Sequence, residues 1–302
     1  MSKARLIVVA GPTAVGKTAL SIELAQWLNT EIVSADSRQF YRELNIGTAK
    51  PTAAELSQVK HHFINSHSVS DPVNAGRYEK EGIDLLNHLF EKHSQVILCG
   101  GSGLFIDAIC EGFDELPPEN LALRTELSQK VVEGRLNELV EELQKLDPVF
   151  AKSVDTQNPQ RVIRALEICK VTGRPYSEQL SQQPKQRDFD VIRIALNSDR
   201  QELYRKINER VDIMMASGLL EEVKSLREYE PLKPLQTVGY QELFSFLNNE
   251  ITLGEAVELI KRNSRRYAKR QLTWLRRRDD YYWFQPQQIE DIKSLLAKRI
   301  TL

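Results

Sequence analysis

The amino-acid sequence predicts an α/β fold in which a parallel sheet is interrupted by an inserted all-helical domain. In the first 112 residues, short apolar runs of strand length alternate with stretches of helical periodicity, a pattern typical of parallel sheets. From residue 113 to residue 188 the periodicity is helical, and no buried strand is predicted there. The strand pattern returns at residues 191–196, so the insertion divides one α/β core into two parts.

The predicted elements of the first part follow a strand, loop, helix order. Apolar runs with the length of buried strands occupy residues 6–10, 31–35 and 95–99. Helical periodicity covers residues 18–28, 78–93 and 104–110. The strands are followed by a glycine-containing loop, by Asp36, and by Gly100-Gly101-Ser102-Gly103. Ligands collect at the carboxyl edge of such sheets, where Asp36 is expected to lie.

Proline and glycine breaks divide the helical insertion, since proline lacks an N–H donor and clashes with the preceding turn. They occur at Pro117-Pro118, Asp147-Pro148, Asn158-Pro159 and Gly173-Arg174-Pro175. We predict a first core part at residues 1–112, an insertion at 113–189, and a second core part at 190–302 that carries basic C-terminal helices. After residue 196 only helices are predicted, and the aromatic run at 281–284 is interpreted as core packing rather than base stacking.

Composition sets limits on function. The chain has 302 residues, 41% hydrophobic and 27% charged, with a net charge of −1, so a nucleic-acid site would have to be a local patch. Cys99, Cys110 and Cys169 are odd in number and far apart, which predicts reduced core thiols. His61, His62 and His67 lack the partners of a zinc shell. No apolar stretch reaches membrane-span length, which predicts a soluble, cytoplasmic protein without a signal peptide.

The strongest motif is Gly11-Pro12-Thr13-Ala14-Val15-Gly16-Lys17-Thr18, which fits G-x-x-x-x-G-K-[ST] between a predicted strand and a predicted helix. Loop N–H groups and the helix N-terminus would hold a diphosphate or triphosphate. Lys17 would add a charge, and the Thr18 hydroxyl is the predicted Mg²⁺ ligand. The motif therefore predicts a P-loop NTPase-like core.

This motif does not identify the phosphate. A guanine-specificity N-K-x-D element is absent, and the strand at 95–99 ends in glycine instead of the acidic residue of a Walker B motif. Asp36 is the best-placed carboxylate at the carboxyl edge of the sheet. ATP binding by the loop therefore stays open at this point.

Five separated stretches of the chain resemble the tRNA dimethylallyltransferases, also called tRNA isopentenyltransferases. They are GPTAVGKT at 11–18, SADSRQFYRELNIGTAKP at 34–51, GGSGLF at 100–105, NPQRVIRALEI at 158–168 and RRYAKRQLTWLRRR at 265–278. The second stretch is the most specific of them. The departures are mild, since many members have Ser at the position of Val15, Thr at Ser102 and Tyr at Phe105.

The resemblance implies transfer of a dimethylallyl group from dimethylallyl diphosphate to N6 of adenosine 37 in the tRNA anticodon loop, with release of diphosphate. By this resemblance Asp36 is the base that takes the N6 proton, and Ser102 either hydrogen-bonds N6 or orients Asp36. Lys17, Arg210 and Mg²⁺ on Thr18 would stabilise the leaving diphosphate. The alternatives are a turn cap for Asp36, a plain turn serine for Ser102 and a solvated helix arginine for Arg210.

The same resemblance places RNA contacts on both parts of the fold. Reading of the flipped adenine and its neighbours is implied for Asp36, Ser37, Arg38 and Gln39 and for Gln160, Arg161, Val162, Ile163 and Arg164. Ser102 and Arg124 match further contacts to the RNA. Arg161 and Arg164 have the i,i+3 spacing that would let both face a phosphate backbone. The alternative for this pair is an ordinary solvated helix face.

A basic stripe is predicted near the C-terminus from the residues themselves. No acidic residue lies between Arg262 and Arg278, and helical geometry puts seven cations on one face. They are Arg262, Arg265, Arg266, Lys269, Arg270, Arg276 and Arg277. Unscreened cations repel one another, so we expect this face to meet RNA phosphates, with Arg265, Arg266 and Lys269 at its centre.

Two other classes of protein remain as alternatives. One is a small-molecule P-loop enzyme, either a kinase or an isopentenyltransferase that acts on free adenine nucleotides. The other is a non-catalytic RNA-binding module. A free nucleotide needs neither the insertion nor the basic stripe, and a binding module needs neither Asp36 nor Ser102. The expected partners are therefore tRNA and dimethylallyl diphosphate, with a monomeric protein and no membrane.

Overall fold

The computed structural model describes residues 3–181 and 183–300. Within this part of the chain, one sheet contains six strands, all parallel, in the order β3-β2-β4-β1-β5-β6. The strands are β1 Ala4–Ala10, β2 Ile32–Ser34, β3 His61–His62, β4 Gln95–Gly100, β5 Phe189–Leu196 and β6 Tyr281–Phe284. This sheet confirms the predicted α/β class.

Thirteen α-helices are found in the same described residues. They are α1 Lys17–Leu28, α2 Ala53–Leu56, α3 Ala75–Phe90, α4 Gly103–Cys110, α5 Leu121–Val132, α6 Leu136–Leu146, α7 Pro148–Ser153, α8 Pro159–Thr172, α9 Arg200–Ala216, α10 Leu219–Ser225, α11 Tyr240–Leu247, α12 Leu253–Leu275 and α13 Ile289–Ile300.

The central strand β1 shows why the apolar runs form a parallel sheet. Its residues from Leu6 to Ala10 are fully buried, and β1 pairs with β4 on one side and with β5 on the other. Parallel sheets are covered on both faces, so their strands are apolar without alternation. The predicted strands at 6–10, 31–35, 95–99 and 191–196 all lie on observed strands.

Two of the six strands described, β3 and β6, were not predicted from the sequence. The two-residue strand β3 is too short to produce a pattern. Strand β6 pairs with β5 in parallel, so the expectation of helices alone after residue 196 is wrong. The interpretation of this aromatic run as core packing also fails in part. Tyr281 is buried, but Trp283 is 37% exposed, because an edge strand leaves part of its surface to solvent.

The chain divides into two compact units. One contains the described residues up to Glu111 and from Gln186 onward, and the other is Gly112–Lys185. The predicted limits of the insertion, residues 113 and 189, lie close to these boundaries. Within the larger unit, Arg187 donates hydrogen bonds to the Glu79 carboxylate and to the Ala108 carbonyl, and β5 begins at Phe189. Residues 186–189 therefore belong to the sheet-containing unit.

Each unit has its own apolar core. In the sheet-containing unit, helices α1, α9, α12 and α13 contribute to the core around the strands, and α10, α11 and part of α12 form a second cluster around Tyr240. In the smaller unit, α5 to α8 contribute buried residues that include Leu127, Leu143, Val162 and Leu166. The insertion is thus a helical unit whose apolar face is satisfied internally.

Candidate active site

The P-loop connects β1 to α1 at the carboxyl edge of the sheet. Ala14 and Gly16 have φ angles of 64° and 107°, in the left-handed region that lets the chain turn sharply before the helix. Gly11 is required for close packing, because a Cβ there would stand 2.9 Å from the Leu196 carbonyl oxygen. Helix α1 begins at Lys17, so the unpaired N–H groups of its first turn lie at the loop. This arrangement is a ready-made anion site.

The side chain of Lys17 folds back onto the loop that carries it. Its Nζ donates hydrogen bonds to the carbonyl oxygens of Gly11 and Pro12, at 3.0 and 2.8 Å. Burial lowers the pKa of Lys17 to about 8, and the neighbouring Arg210 acts in the same direction. A bound anion would stabilise the protonated form, so this lysine is suited to a phosphate group.

A cleft of about 710 Å³ opens over the loop. It is lined by part of the P-loop, namely Thr13, Ala14, Gly16, Lys17 and Thr18. The rest of the motif, Gly11, Pro12 and Val15, is buried beneath it. The cleft is also lined by Asp36, Gln39, Arg210, Tyr267 and Gln271, which come from three other segments of the chain. The predicted catalytic and phosphate-binding residues other than Ser102 therefore border one cavity or lie under its floor.

Arg210 reaches the cleft from α9. Within the described residues it forms no ion pair, and burial lowers the pKa of its guanidinium. A fully solvated surface arginine would not have its pKa lowered by burial. The side chain thus presents an uncompensated cation to the cleft, on the same cavity as Lys17.

Asp36 follows β2, where its Oδ1 accepts a hydrogen bond from the Arg38 backbone N–H at 3.0 Å. This bond makes Asp36 a turn cap, but the carboxylate also lines the cleft, so the two predicted roles are compatible. Ser102 lies beside this turn, because its Oγ accepts a hydrogen bond from the Ser37 N–H at 3.2 Å. Its own N–H donates to the Ala35 carbonyl oxygen at 3.3 Å.

A second cavity of about 190 Å³ adjoins the first at Asp36. It is lined by Asp36, Ser37 and Arg38, and it shares Thr13, Arg210 and Tyr267 with the cleft. Asp36 therefore borders two cavities, one over the P-loop and one over the turn that follows β2. A carboxylate in this position can meet two ligands that approach from different sides.

Helix α12 closes the site with two residues that sequence reasoning did not assign to it. Gln271 is buried; its Oε1 accepts from the Thr13 N–H at 2.8 Å, and its Nε2 donates to the Gly101 carbonyl at 2.9 Å. Tyr267, one turn earlier, lines both cavities, and burial followed by the Asp36 carboxylate raises its pKa to about 12. The available signal was a glutamine on the apolar side of the helix.

The side-chain amide of the turn residue Gln39 forms hydrogen bonds within the protein. Its Nε2 donates to the carbonyl oxygens of Thr48 and Ala49, both at 3.2 Å. The following loop is fixed by Glu222, whose carboxylate accepts hydrogen bonds from three successive N–H groups, those of Asn45, Ile46 and Gly47. The segment that carries the most specific motif is therefore a rigid wall of the cleft.

The predicted RNA contacts of the insertion are of three kinds in the structure. Val162 and Ile163 are 0% and 8% exposed and belong to the helical core, so their side chains are not available to RNA. A helix that presents Arg161 and Arg164 outward must turn the two residues between them inward. Gln160 and Arg161 are exposed and, among the described residues, their side chains have no hydrogen-bond partner.

Arg124 and Arg164 share a third arrangement. Both guanidinium groups bind the carboxylate of Glu167, whose side chain is 1% exposed. A buried carboxylate needs such partners, because an unpaired charge in the interior is costly. These arginines neutralise Glu167 inside the insertion, and of the predicted pair Arg161 alone has no ion pair in the described chain. The RNA contacts of Arg124 and Arg164 stay predictions.

The basic stripe occupies one face of α12 and the residues just beyond it. Of its seven cations, only Arg265 is half-buried, and it donates a hydrogen bond to the Asn208 amide oxygen at 2.6 Å. The helix ends at Leu275, so Arg276 and Arg277 follow the C-terminus instead of continuing the face. None of the seven forms an ion pair with an acidic side chain of the described chain, so the stripe is an uncompensated positive surface.

The residues present suit a magnesium ion carried by a diphosphate. Thr18 and Asp36 line the same cleft as the phosphate loop, and no described group of three or more His, Cys, Asp or Glu residues could hold a metal ion. Mg²⁺ is commonly bound through one or two protein oxygens, substrate phosphates and water. The Thr18 hydroxyl is the fitting first ligand.

The fold and this site define a P-loop protein of the α/β class, built to hold a phosphorylated ligand beside a carboxylate. The family model described as IPP transferase matches residues 39–278, and the chain belongs to that family. A tRNA dimethylallyltransferase of Bacteroides thetaiotaomicron is 47% identical over 96% of this chain and 94% of its own length. One of Bacteroides fragilis is 46% identical over 99% of this chain and 100% of its own length.

Two solved structures are similar over almost the whole chain. The full-length tRNA isopentenylpyrophosphate transferase of Bacillus halodurans is 37% identical, with a TM-score of 0.74 over 99% of this chain and 97% of its own. A eukaryotic dimethylallyltransferase acting on tRNA is 26% identical, with a TM-score of 0.78 over 98% of this chain and 77% of its own. In the described residues, no helix has the length and apolar character needed to span a membrane.

Proposed function

We propose that this protein is a tRNA dimethylallyltransferase. It transfers the dimethylallyl group of dimethylallyl diphosphate to N6 of adenosine 37 in the anticodon loop of tRNA and releases diphosphate. The observation that carries the proposal is the position of Asp36, which borders both the cleft over the P-loop and the cavity beside it. One cavity suits the donor diphosphate, and the other suits an adenine taken out of its stack.

The reaction needs a bond made and a bond broken at C1 of the dimethylallyl group. The N6–C1 bond forms while the C1–O bond to the diphosphate breaks, and the bonding electrons leave with the oxygen. Because the N6 lone pair is delocalised into the ring, the nucleophile gains strength if its proton moves to the Asp36 carboxylate as the bond forms. Ser102, hydrogen-bonded to the Ser37 N–H beside Asp36, positions this turn or contacts N6.

The leaving diphosphate accumulates negative charge, which the P-loop is arranged to receive. Loop N–H groups, Lys17 and Arg210 face one cleft and offer preorganised positive potential to that charge. Mg²⁺ bound at Thr18 would supply a further charge on the diphosphate oxygens. Stabilisation of a leaving group in this way needs no ATP hydrolysis.

RNA would be held outside the reacting centre. Gln160 and Arg161 are exposed on the insertion, and six of the seven cations of the basic stripe are exposed on α12 or just beyond its end. Phosphate contacts of this kind supply affinity without reading sequence. The P-loop, Asp36 and Arg210 all come from one chain, so the site needs no residue from a second copy, which supports a monomer. A tRNA substrate supports a cytoplasmic location.

The proposal is tested by product analysis. The protein is incubated with Mg²⁺, dimethylallyl diphosphate and unmodified tRNA, and the digested RNA is searched by mass for N6-dimethylallyladenosine. We expect this nucleoside only when both substrates are present, in amounts equal to the diphosphate released. Replacement of tRNA by AMP is the control for a free-nucleotide enzyme. Modified AMP without modified tRNA, or ADP formed from added ATP in step with product, would refute the proposal.

A further inference from the structure

Two adjoining cavities lie apart from the active-site cleft, where β5 and β6 end. Their volumes are about 620 and 300 Å³, and they share Asn197, Ser198 and Arg276 as lining residues. Neither has a lining residue in common with the cleft or with the small cavity at Asp36. They therefore form a separate hollow on the carboxyl edge of the sheet, which we call the β5–β6 hollow.

The β5–β6 hollow is positively charged. Arg200, Lys269 and Arg276 line it, and none of them forms an ion pair within the described chain. Among the described residues, Asp199 is the one acidic residue in its wall, and its Oδ1 accepts hydrogen bonds from the N–H groups of Gln201 and Glu202 at the start of α9. Three cations without acidic partners favour an anionic ligand.

Aromatic rings accompany these cations. Trp283 is 37% exposed in the wall, and the Arg276 guanidinium lies 5.9 Å from its ring centroid. Tyr204 also lines the hollow, with the Arg200 guanidinium 5.2 Å from its ring centroid. Rings interleaved with cations are the means by which proteins hold unstacked bases and their phosphates.

The wall also holds an unused hydrogen-bonding group. The Ser198 Oγ is buried and has no hydrogen-bond partner within residues 3–181 and 183–300, although most buried polar atoms in proteins have one. Ser198 itself lines both cavities, so rotation of its side chain toward the hollow would let the hydroxyl bond to a ligand there.

We propose that the β5–β6 hollow binds a nucleotide, with its phosphate on Arg276, Lys269 or Arg200 and its base on the Trp283 ring. A nucleotide of the tRNA substrate is the favoured source, because Lys269 and Arg276 also belong to the basic stripe. This source rests on the proposed function. A free nucleotide is the other source of the same chemistry, and it does not depend on that function.

The test compares variants that differ only in their position relative to the hollow. Arg276→Ala is matched with Arg277→Ala, an adjacent exposed arginine of the stripe that does not line it. Trp283→Ala is matched with Trp27→Ala, since Trp27 is 43% exposed on α1 and does not line the hollow. Affinity for unmodified tRNA and for AMP is measured at one fixed salt concentration.

Trp283→Ala should bind nucleotide about tenfold more weakly than Trp27→Ala, since removal of one base-stacking ring usually costs about 5- to 150-fold. Arg276→Ala should bind more weakly than Arg277→Ala, because it loses a cation that holds the phosphate. Weaker tRNA binding without AMP binding by the wild type identifies an RNA nucleotide as the ligand. AMP binding that disappears in the hollow variants identifies a free nucleotide. Trp283→Phe keeps a ring and should retain most of the affinity, which separates loss of stacking from misfolding of β6.

Equal affinities within both matched pairs, for tRNA and for AMP, would overturn the proposal. A separate assay of product formation by the wild type distinguishes this outcome from a failure of the proposed function. A wild type that modifies tRNA while the pairs are equal refutes the hollow alone. A wild type that modifies no tRNA refutes the transferase, and AMP binding then still tests the hollow.

Discussion

Asp36 and Lys17 show how single residues take their chemistry from their surroundings. Asp36 is fixed by the Arg38 N–H through one carboxylate oxygen, while its position between two cavities keeps the group accessible to ligands. Lys17 is a strong base made weaker by burial, with a pKa of about 8. At this scale, a change of one atom or one charge should change the chemistry and leave the fold intact.

Replacement of the proposed base should separate chemistry from binding. Asp36→Asn keeps a carbonyl oxygen for the Arg38 N–H but accepts no proton, so we expect transfer to fall about 10²- to 10⁴-fold. Affinity for tRNA and for dimethylallyl diphosphate should stay within a few-fold, as measured by direct titration. Single-turnover formation of N6-dimethylallyladenosine is the readout. A variant with wild-type turnover would remove Asp36 from the mechanism.

Diphosphate binding should depend on pH through Lys17. Because the folded-state pKa is about 8, below the value of 10.5 for a free lysine, the cost of burying its charge is present at pH 7 and is relieved as the pH rises past 8. A bound anion favours the charged form, so binding of inorganic diphosphate near pH 8.5 should take up protons. Calorimetry in buffers of different ionisation enthalpy measures this uptake.

Lys17→Arg is the matched control for that titration, because arginine stays protonated over this range. Diphosphate itself titrates near the same pH, and the difference between wild type and variant isolates the lysine. We expect lower proton uptake in the variant. Identical uptake in both proteins would show that the Lys17 proton is not linked to diphosphate binding.

Helix α12 joins two tasks on opposite faces. Its inner face holds the site together, with Gln271 bridging the P-loop to the turn at Gly101 and the Trp274 indole N–H donating to Asp107 at 2.9 Å. Gly103 has no room for a side chain, since a Cβ would come within 2.2 Å of the Trp274 ring. Its outer face carries the basic stripe, so RNA bound there would lie on the helix that also shapes the cleft.

The stripe should make tRNA binding salt-dependent. The variant Arg262→Ala/Arg266→Ala/Lys269→Ala removes three exposed cations of one helix face and leaves Arg265 bonded to Asn208. We expect weaker tRNA binding and a log affinity–log salt slope shallower by about one for each phosphate that is no longer neutralised. The apparent affinity for dimethylallyl diphosphate should barely change. These quantities are measured by titration at several salt concentrations.

A second triple variant controls for net charge. Lys80→Ala/Lys92→Ala/Lys298→Ala removes the same charge from exposed lysines outside α12. Its slope should match that of the wild type. Equal slopes in the stripe variant and in the wild type would show that the stripe is solvated surface, and RNA holding would then fall to the insertion.

At the scale of the whole molecule, the chain forms two units, each with its own apolar core. The sheet-containing unit has all the residues that line the cleft, while the helical unit has its own apolar cluster and its own buried ion pairs around Glu167. Because each core is satisfied internally, a defect in one need not spread to the other.

Leu143→Ala should weaken the helical unit selectively. Leu143 is fully buried in its core, and such truncations cost about 2 to 5 kcal/mol. Amide exchange should rise within residues 112–185, and tRNA affinity should fall, while diphosphate affinity is kept. Leu98→Ala, in strand β4, is the contrasting control, because it should impair diphosphate binding. Increased exchange across both units in Leu143→Ala would contradict independent cores.

The sequence by itself determined the parts that depend on neighbours along the chain. The P-loop, the strands of the central sheet, Asp36 after β2 and the uncompensated charge of the stripe are all local patterns of residue type and spacing. Short edge strands such as β3 and β6 were missed, because two to four residues carry too little periodicity to identify.

Only the tertiary structure decided which distant groups meet. Gln271 binds Thr13 across 258 positions of the chain, and Arg124 is committed to Glu167 across 43 positions. Sequence spacing predicts which face of a helix a residue occupies, but it does not say what packs against that face. Tertiary packing therefore places Gln271 and Tyr267 at the cleft. Within the insertion, packing pairs Arg124 and Arg164 with Glu167, because a buried carboxylate must be neutralised by whichever cations the fold brings beside it.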